Sequence, residues 1–123
     1  MSLDWRRFIV AESAGGEVIA CGQIKPHRDG SQELASIAVT QDWRGQGVAR
    51  AIIEHLIAGH TGDLYLMCVP DMAALYLKFG FYIVEDIEAL PTYFRRVSKI
   101  VGAARTLAKG IDAPTIMKRN RRG

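Results

Sequence analysis

The chain is poor in the residues that metal or disulfide chemistry requires. It has two cysteines and three histidines in 123 residues. Cys21, Cys68, His27, His55 and His60 lack the paired spacings of a metal-ligand set, so no metal site is expected. Both cysteines lie in apolar, strand-like stretches and read as thiols in a reducing compartment, with a disulfide as the alternative. No apolar run approaches the ~20 residues that span a bilayer, and no charged-then-apolar leader opens the chain. No Gly-Lys-Ser/Thr run is present, which excludes a P-loop. Aromatic residues make up 8% of the chain and do not interleave with the basic ones, as a binder of single-stranded nucleic acid requires. What remains is a single domain over residues 1–123, soluble and cytoplasmic, with no membrane partner.

Nearly half of the residues, 49%, are apolar, enough for a packed core and too many for wholesale disorder. The formal net charge of +3 is unevenly spread. Residues 1–90 carry 7 Lys+Arg against 12 Asp+Glu, a net of −5, and residues 91–123 carry 9 against one Asp, a net of +8. A basic end on an acidic body raises nucleic-acid contact as one possibility. The simpler account is that Arg95, Arg96, Lys99 and Arg105 form the wet face of a helix and "KRNRRG" is a solvated terminus, so a nucleic-acid partner is not expected.

Alternation predicts strands over "WRRFIVAES" and "EVIACGQIK", joined by "AGGE", and a third over "QELASIAVT" after the Asp29-Gly30 turn. Val48, Ile52, Ile53, Leu56 and Ile57 share one face of a helix over 48–58. "DLYLMCV" is a short apolar strand of the kind found inside a sheet. Pro70 and Asp71 open a helix over "DMAALYLKF", with Asp71 as cap or first-turn acid, and Gly80 ends it. "FYIVED" is a further strand. From Pro91 to residue 108, Phe94, Val97, Ile100 or Val101, Ala104 and Leu107 recur with helical period. "APTIMKR" makes a last short strand, with Pro114 marking an edge or a strand start. The order β-β-β-α-β-α-β-α-β predicts an α/β fold, a mixed sheet with helices packed against it.

Between the third strand and the first helix runs "QDWRGQGVAR", residues 41–50. A strand that feeds directly into a helix leaves the first-turn N–H groups without intrahelical acceptors, and the macrodipole adds about half a positive charge there. Glycines at 45 and 47 keep side chains clear of that backbone, and Arg44 and Arg50 stand at its rim. Such a turn suits a phosphate or pyrophosphate, though a Gly-x-Gly turn also serves as a plain tight connection. It does not fit the dinucleotide fingerprint, because Arg50 stands where the third glycine belongs.

A second motif, "ALYLKFGFYIV", follows some thirty residues later. Together the two resemble the GNAT (GCN5-related N-acetyltransferase) family. The family's Arg/Gln-x-x-Gly-x-Gly/Ala, which cradles the pyrophosphate of acetyl-CoA, is similar to Arg44-Gly45-Gln46-Gly47-Val48-Ala49. Its Tyr-x-x-x-Gly-Phe is similar to Tyr76-Leu77-Lys78-Phe79-Gly80-Phe81. The resemblance runs from about residue 5 to 119. It implies a GNAT-like, mostly antiparallel mixed sheet with flanking helices, here lacking the usual first strand and first two helices.

The resemblance also implies roles. The coenzyme would lie in a V between parallel strands over Glu33–Thr40 and Leu64–Val69. Backbone groups of Ile37, Ala38 and Val39 would pair with the pantetheine arm, and the amides of Gln46 to Arg50 would hold the diphosphate. Tyr76 would protonate the departing thiolate, or it is a helix residue packed beside Phe79. Glu33 would be the general base, on the face of Ala35 and Ile37, or a solvated acid after the turn. A base matters because a lysine-like amine, pKa ~10.4, costs about 4–5 kcal/mol to present neutral at pH 7. His27 is a second candidate base or a surface turn residue. Cys68 reads as a core thiol, since no activating base accompanies it.

Two departures stand out. Where many relatives carry an Asn seven residues before the helix tyrosine, this chain has Val69. The helices that usually wall the acceptor site are missing, so that wall falls to residues 91–108, to another subunit or to sequence preceding this chain. An exposed sheet edge would favour a homodimer. The function implied is acetyl transfer from acetyl-CoA to an amine (a small molecule, an amino acid or a protein N-terminus) by direct attack in a ternary complex. The alternative is a non-catalytic acyl-CoA-binding regulatory module.

Overall fold

The structure, a computed structural model, describes residues 5–108, 110 and 113–121. Strands β1 (Phe8–Glu12), β2 (Val18–Pro26) and β3 (Gln32–Val39) form an antiparallel meander. Helix α1 (Val48–Ala58) follows, then β4 (Leu64–Cys68), α2 (Ala73–Leu77), β5 (Tyr82–Ile83), α3 (Thr92–Leu107) and β6 (Thr115–Arg119). The sheet order is β1-β2-β3-β4-β6-β5, and β3 with β4 is its single parallel pair among the described strands. This is the mixed sheet that the element order predicts, and it is mostly antiparallel, as the resemblance implies.

The two faces of the sheet carry separate cores. On one, Ile52, Ile53, Leu56 and Ile57 of α1 pack with Ala20, Leu34, Leu64, Leu66, Phe81 and Met117. Each of the isoleucine, leucine, phenylalanine and methionine side chains contributes roughly 1.5–3 kcal/mol by leaving water. The close approach of α1 requires Gly22 on β2, where a Cβ would stand 2.6 Å from Ile37 Cδ1 and 2.7 Å from Ile52 Cγ2. On the other face, Phe94 of α3 is fully buried among Tyr65, Leu90 and Ile116, with Met67, Val84 and Tyr93 packed around them. β4 serves both cores because its successive side chains alternate: Leu64 and Leu66 turn to α1, Tyr65 and Met67 to α3.

A bulge interrupts β3. Cys21 pairs with Ala38 but Gln23 pairs with Ala35, so two β3 residues stand opposite one residue of β2. Ser36, with φ of 59°, takes up the extra residue. The bulge is pinned by side chains: Gln23 Nε2 donates to Ser36 Oγ at 3.0 Å and Cys21 Sγ donates to the Ser36 carbonyl at 3.5 Å. Because one residue is inserted, the strand changes parity. Leu34 before the bulge and Ile37 and Val39 after it all pack toward α1. The expectation that Glu33 shares a face with Ile37 is therefore wrong, because simple alternation does not survive the bulge.

Other differences are local. Trp5–Arg7 form a 3-10 turn rather than the start of β1, Arg6 and Arg7 both being exposed. The expected helix over 71–79 divides into a 3-10 turn at Pro70–Met72 and five residues of α2. Asp71 is a first-turn acid there and makes no capping bond. "FYIVED" pairs only at Tyr82 and Ile83 before Asp86 accepts from the Glu88 amide at 3.0 Å and opens another 3-10 turn. On α3, Val101 rather than Ile100 faces inward, and Ile100 and Leu107 are exposed. Pro114 marks a strand start, since β6 lies between β4 and β5.

Candidate active site

The turn before α1 is open backbone. Gly45 and Gly47 adopt φ of 78° and 81°, the left-handed region that L side chains resist, and a Cβ at either would meet nothing within 4 Å. Conformation rather than crowding thus requires glycine. Gly47 is the N-cap of α1, and the amide of Ala51 donates to the Gly47 carbonyl at 3.1 Å. The amides of Val48, Ala49 and Arg50 precede that first bond and are left for an external acceptor. Arg44 donates through Nε to the Val39 carbonyl at 3.2 Å, which ties the turn to the end of β3. Gln46 Nε2 donates to the Asp42 carbonyl at 3.2 Å. Arg50 reaches along the helix to Glu54 Oε1 at 3.0 Å, an exposed i,i+4 pair of little energetic weight, so it can exchange partners for an anion.

Beside the turn the sheet opens. β3 and β4 are bridged at Glu33 and Tyr65, and beyond that point the described residues show no further pairing between them. Thr40 donates its amide to the Ile19 carbonyl at 2.8 Å. Strand amides alternate in direction, so that of Val39 faces the gap toward β4. An extended ligand entering here would meet the gap-facing main chain of Ile37 and Val39, as an added strand does, while Ala38 pairs with Cys21 of β2.

Tyr76 projects from α2 into the α1-side core, its ring edge-on to Phe81 with centroids 6.1 Å apart. Phe79 packs against the same core and donates its amide to the Tyr76 carbonyl at 3.0 Å. Burial raises the Tyr76 phenol above its usual range, and the nearby Cys68 sulfur pushes it the same way. Cys68 is itself a free thiol raised by burial, so it is no activated nucleophile. Tyr76 and Cys68 thus stand together at the C-terminal end of β4, where the gap is open. Val69, at the Asn position of many relatives, follows directly and is exposed.

Glu33 is placed differently. It is buried, and its Oε1 lies 2.7 Å from His27 Nε2, with the His27 side chain 6% exposed. The imidazole stacks on Tyr93 at 3.7 Å between centroids and meets the edge of Phe94. His27 is therefore no surface turn residue. It sits one residue beyond the Pro26–Gln32 pair of the β2–β3 hairpin, where it reaches diagonally to Glu33 while α3 covers both. Asp29, in the hairpin turn, accepts from the Tyr93 amide at 2.9 Å and from Ser31 N and Oγ, and so fixes the start of α3. Glu33 is on the α3 face and Tyr76 on the α1 face, separated by about three residues of β4, on the order of 10 Å.

α3 lies over the face of the sheet opposite α1 and covers it there. The basic end is also engaged: Lys118 pairs with Asp63 at 3.6 Å, and Arg119 donates to the Phe79 carbonyl at 2.9 Å. It is therefore not a frayed terminus as far as residue 121; residues 122 and 123 lie outside the described residues. Among the described residues no group of His, Cys, Asp and Glu could hold a metal ion, and no helix is long and apolar enough to cross a membrane.

Comparison with known proteins bears on this geometry. A family model described as "Acetyltransferase (GNAT) domain" matches residues 4–83. No curated protein sequence matches the chain. Among solved structures it is similar to N-acetylglutamate synthase from Neisseria gonorrhoeae complexed with coenzyme A and N-acetyl-glutamate, at 17% identity and a TM-score of 0.69, over 95% of this chain and 26% of that one. It is also similar to Rv2747 from Mycobacterium tuberculosis in complex with CoA, at 20% identity and a TM-score of 0.66, over 93% of this chain and 75% of that one. A third is a histone acetyltransferase HPA2-related protein from Corynebacterium glutamicum, at 18% identity and a TM-score of 0.66, over 94% of this chain and 65% of that one. The chain spans about a quarter of the gonococcal synthase's length.

Proposed function

The chain belongs to the GNAT acetyltransferase family, and from that premise we propose that it transfers an acetyl group from acetyl-CoA to an amine. The observation that carries this is the juxtaposition of an open, glycine-shaped helix N-terminus at residues 45–50 with an unpaired strand gap beside it. The donor set fits the coenzyme: consecutive free amides and two arginines for the diphosphate, and the inner edge of β3 for the extended arm.

In this proposal the amides of Gln46 to Arg50 bind the diphosphate, with Arg44, Gly45 and Gly47 shaping the turn and Val48 and Ala49 opening the helix. Main-chain groups of Ile37, Ala38 and Val39 align the pantetheine. The Val39 amide polarises the thioester carbonyl, and Tyr76 donates its proton toward sulfur as the carbon–sulfur bond breaks. Bringing a neutral amine in line with the carbonyl in one ternary complex supplies most of the acceleration. Glu33 accepts the amine's proton through a chain of waters, since it stands about 10 Å back along the sheet. The burial of Glu33 against His27 favours a second role for that residue, a polar anchor joining the β2–β3 hairpin to α3. The free thiols Cys21 and Cys68 suit a reducing compartment such as the cytoplasm. The outer edge of β1 offers a pairing surface for a second copy.

Calorimetry with CoA and acetyl-CoA tests the first step, and free-thiol release over a panel of amines tests the second. Folded protein giving no heat with either ligand overturns the proposal. Binding without thiol release from any amine leaves an acyl-CoA-binding regulatory module instead.

A further inference from the structure

We propose that the acceptor amine carries an apolar group, which lodges in the open cleft between the C-terminal end of β4, Val97 of α3 and the residues that precede β6. This rests on the acetyl-transfer reading of the β3–β4 gap. The cleft has a volume of about 370 Å³ and is lined by Met67, Cys68, Val69, Val97, Ala113 and Pro114. None of these six side chains carries a charge.

Its position selects the acceptor rather than the coenzyme as occupant. The diphosphate turn heads α1, on one face of the sheet, whereas Met67 and Val97 belong to the other face, under α3. The two faces communicate at the gap, and Cys68 belongs to both settings: it lines the cleft and lies close to Tyr76. An amine entering from the α3 side thus reaches the thioester from the side that the coenzyme leaves free, with its remaining atoms against Met67, Val69 and Val97.

The lining also sorts acceptors by charge. A second ammonium, as in a diamine, meets no carboxylate among the described lining residues, so it gains nothing there to offset its lost hydration. The buried acid on this face, Glu33, is already engaged by His27 and lies farther along β4. The acidic balance of residues 1–90 is not represented among the described lining residues. An added methylene, by contrast, finds apolar contact and improves transition-state binding roughly fourfold until the cleft is full.

The experiment measures kcat/KM with acetyl-CoA for the alkylamines from ethylamine to hexylamine, for 2-phenylethylamine and for putrescine, with CoA calorimetry alongside. The expected result is a rise of roughly fourfold per methylene and a preference for 2-phenylethylamine over putrescine of at least about tenfold. Val97→Asp should lower kcat/KM for 2-phenylethylamine about tenfold or more while CoA affinity holds. Should that variant fail to fold, Val97→Phe should move the optimum to shorter amines. A flat chain-length series, a preference for putrescine, or no turnover of apolar amines by CoA-competent protein overturns the proposal. So does a rate that follows acyl length, hexanoyl-CoA over acetyl-CoA, and ignores the amine, since the cleft would then hold the acyl chain. Loss of CoA binding by the wild type is distinguishable: it removes the acetyl-transfer reading itself.

Discussion

Replacing Tyr76 with phenylalanine isolates a single hydroxyl. The ring that packs edge-on to Phe81 remains, so fold and coenzyme affinity should be unchanged. The size of the kinetic effect follows from acidities. A leaving thiolate has a pKa of ~8.5 and a phenol ~10, and burial together with Cys68 raises the Tyr76 phenol further. Full proton transfer is thus uphill by at least ~2 kcal/mol, and the hydroxyl acts mainly as a hydrogen-bond donor to developing negative charge. Such a charge-assisted bond is worth about 1.5–3 kcal/mol, so kcat should fall by roughly 10- to 150-fold. The sign of the pH effect is also set. The active form is the protonated phenol and its pKa is raised, so no loss of wild-type activity on account of Tyr76 is expected below the ordinary phenol value of ~10. Thiol release with the best amine of the panel gives kcat, and calorimetry gives the CoA affinity. A kcat within threefold of wild type with intact CoA binding refutes the assignment, and Tyr76 is then a core ring.

Three further perturbations probe the rest of the site. Gly47→Ala meets no steric obstacle but forces alanine to φ of 81°, at a cost of about 1–2 kcal/mol; if the turn amides hold the diphosphate, CoA affinity should fall about tenfold by calorimetry, and unchanged affinity would remove the turn from the binding site. Glu33→Gln keeps the shape of the hydrogen bond to His27 while removing the charge; as the base it should lower kcat at least about 10²-fold with little change in thermal midpoint, whereas an anchor would show a lower midpoint and near-normal kcat. Asp29 is the pH-linked contact, its carboxyl held below the usual range: partial burial opposes the charge, but bonds from Ser31 Oγ and the Tyr93 and Ser31 amides outweigh it. A depressed folded pKa gives stability that is present above the ordinary value of ~3.9 and lost as pH falls through the folded value. Asp29→Asn should therefore lower the midpoint at pH 7 and flatten its acid dependence below pH 4, and parallel wild-type and variant curves would contradict this.

Much of the fold can be read from local pattern because local pattern decides it. The apolar positions of 48–58 have one helical solution, and the structure buries Ile52, Ile53, Leu56 and Ile57. The glycines at 45 and 47 announce a backbone that only glycine adopts cheaply, and they do take positive φ. What periodicity cannot show is a change of period. The bulge at Ser36 depends on Gln23 and Cys21 of a neighbouring strand, so nothing within "QELASIAV" marks it. The His27–Glu33 contact is hidden for a related reason: it needs the hairpin to set the spacing and α3, more than sixty residues on, to exclude water. The available signal was the Asp29-Gly30 turn between them, which places residues 27 and 33 near one another across a hairpin.

The bulge also connects fold to chemistry. Had β3 kept strict alternation, Ile37 and Val39 would face α3 and the small exposed residues Ser36 and Ala38 would face α1, leaving Gly22, Ile52 and Leu56 without the partner they pack against. By changing parity at Ser36, the strand presents Glu33 to one face and Ile37 with Val39 to the other. The side chains after the bulge are then committed to the core, and only the main chain at residues 37–39 is left for the gap beside β4. A backbone edge binds an extended amide-bearing arm whatever the side chains are, which suits a coenzyme. The α3 face, where lining side chains do touch the cleft, is where the proposed acetyl transfer would select among amines.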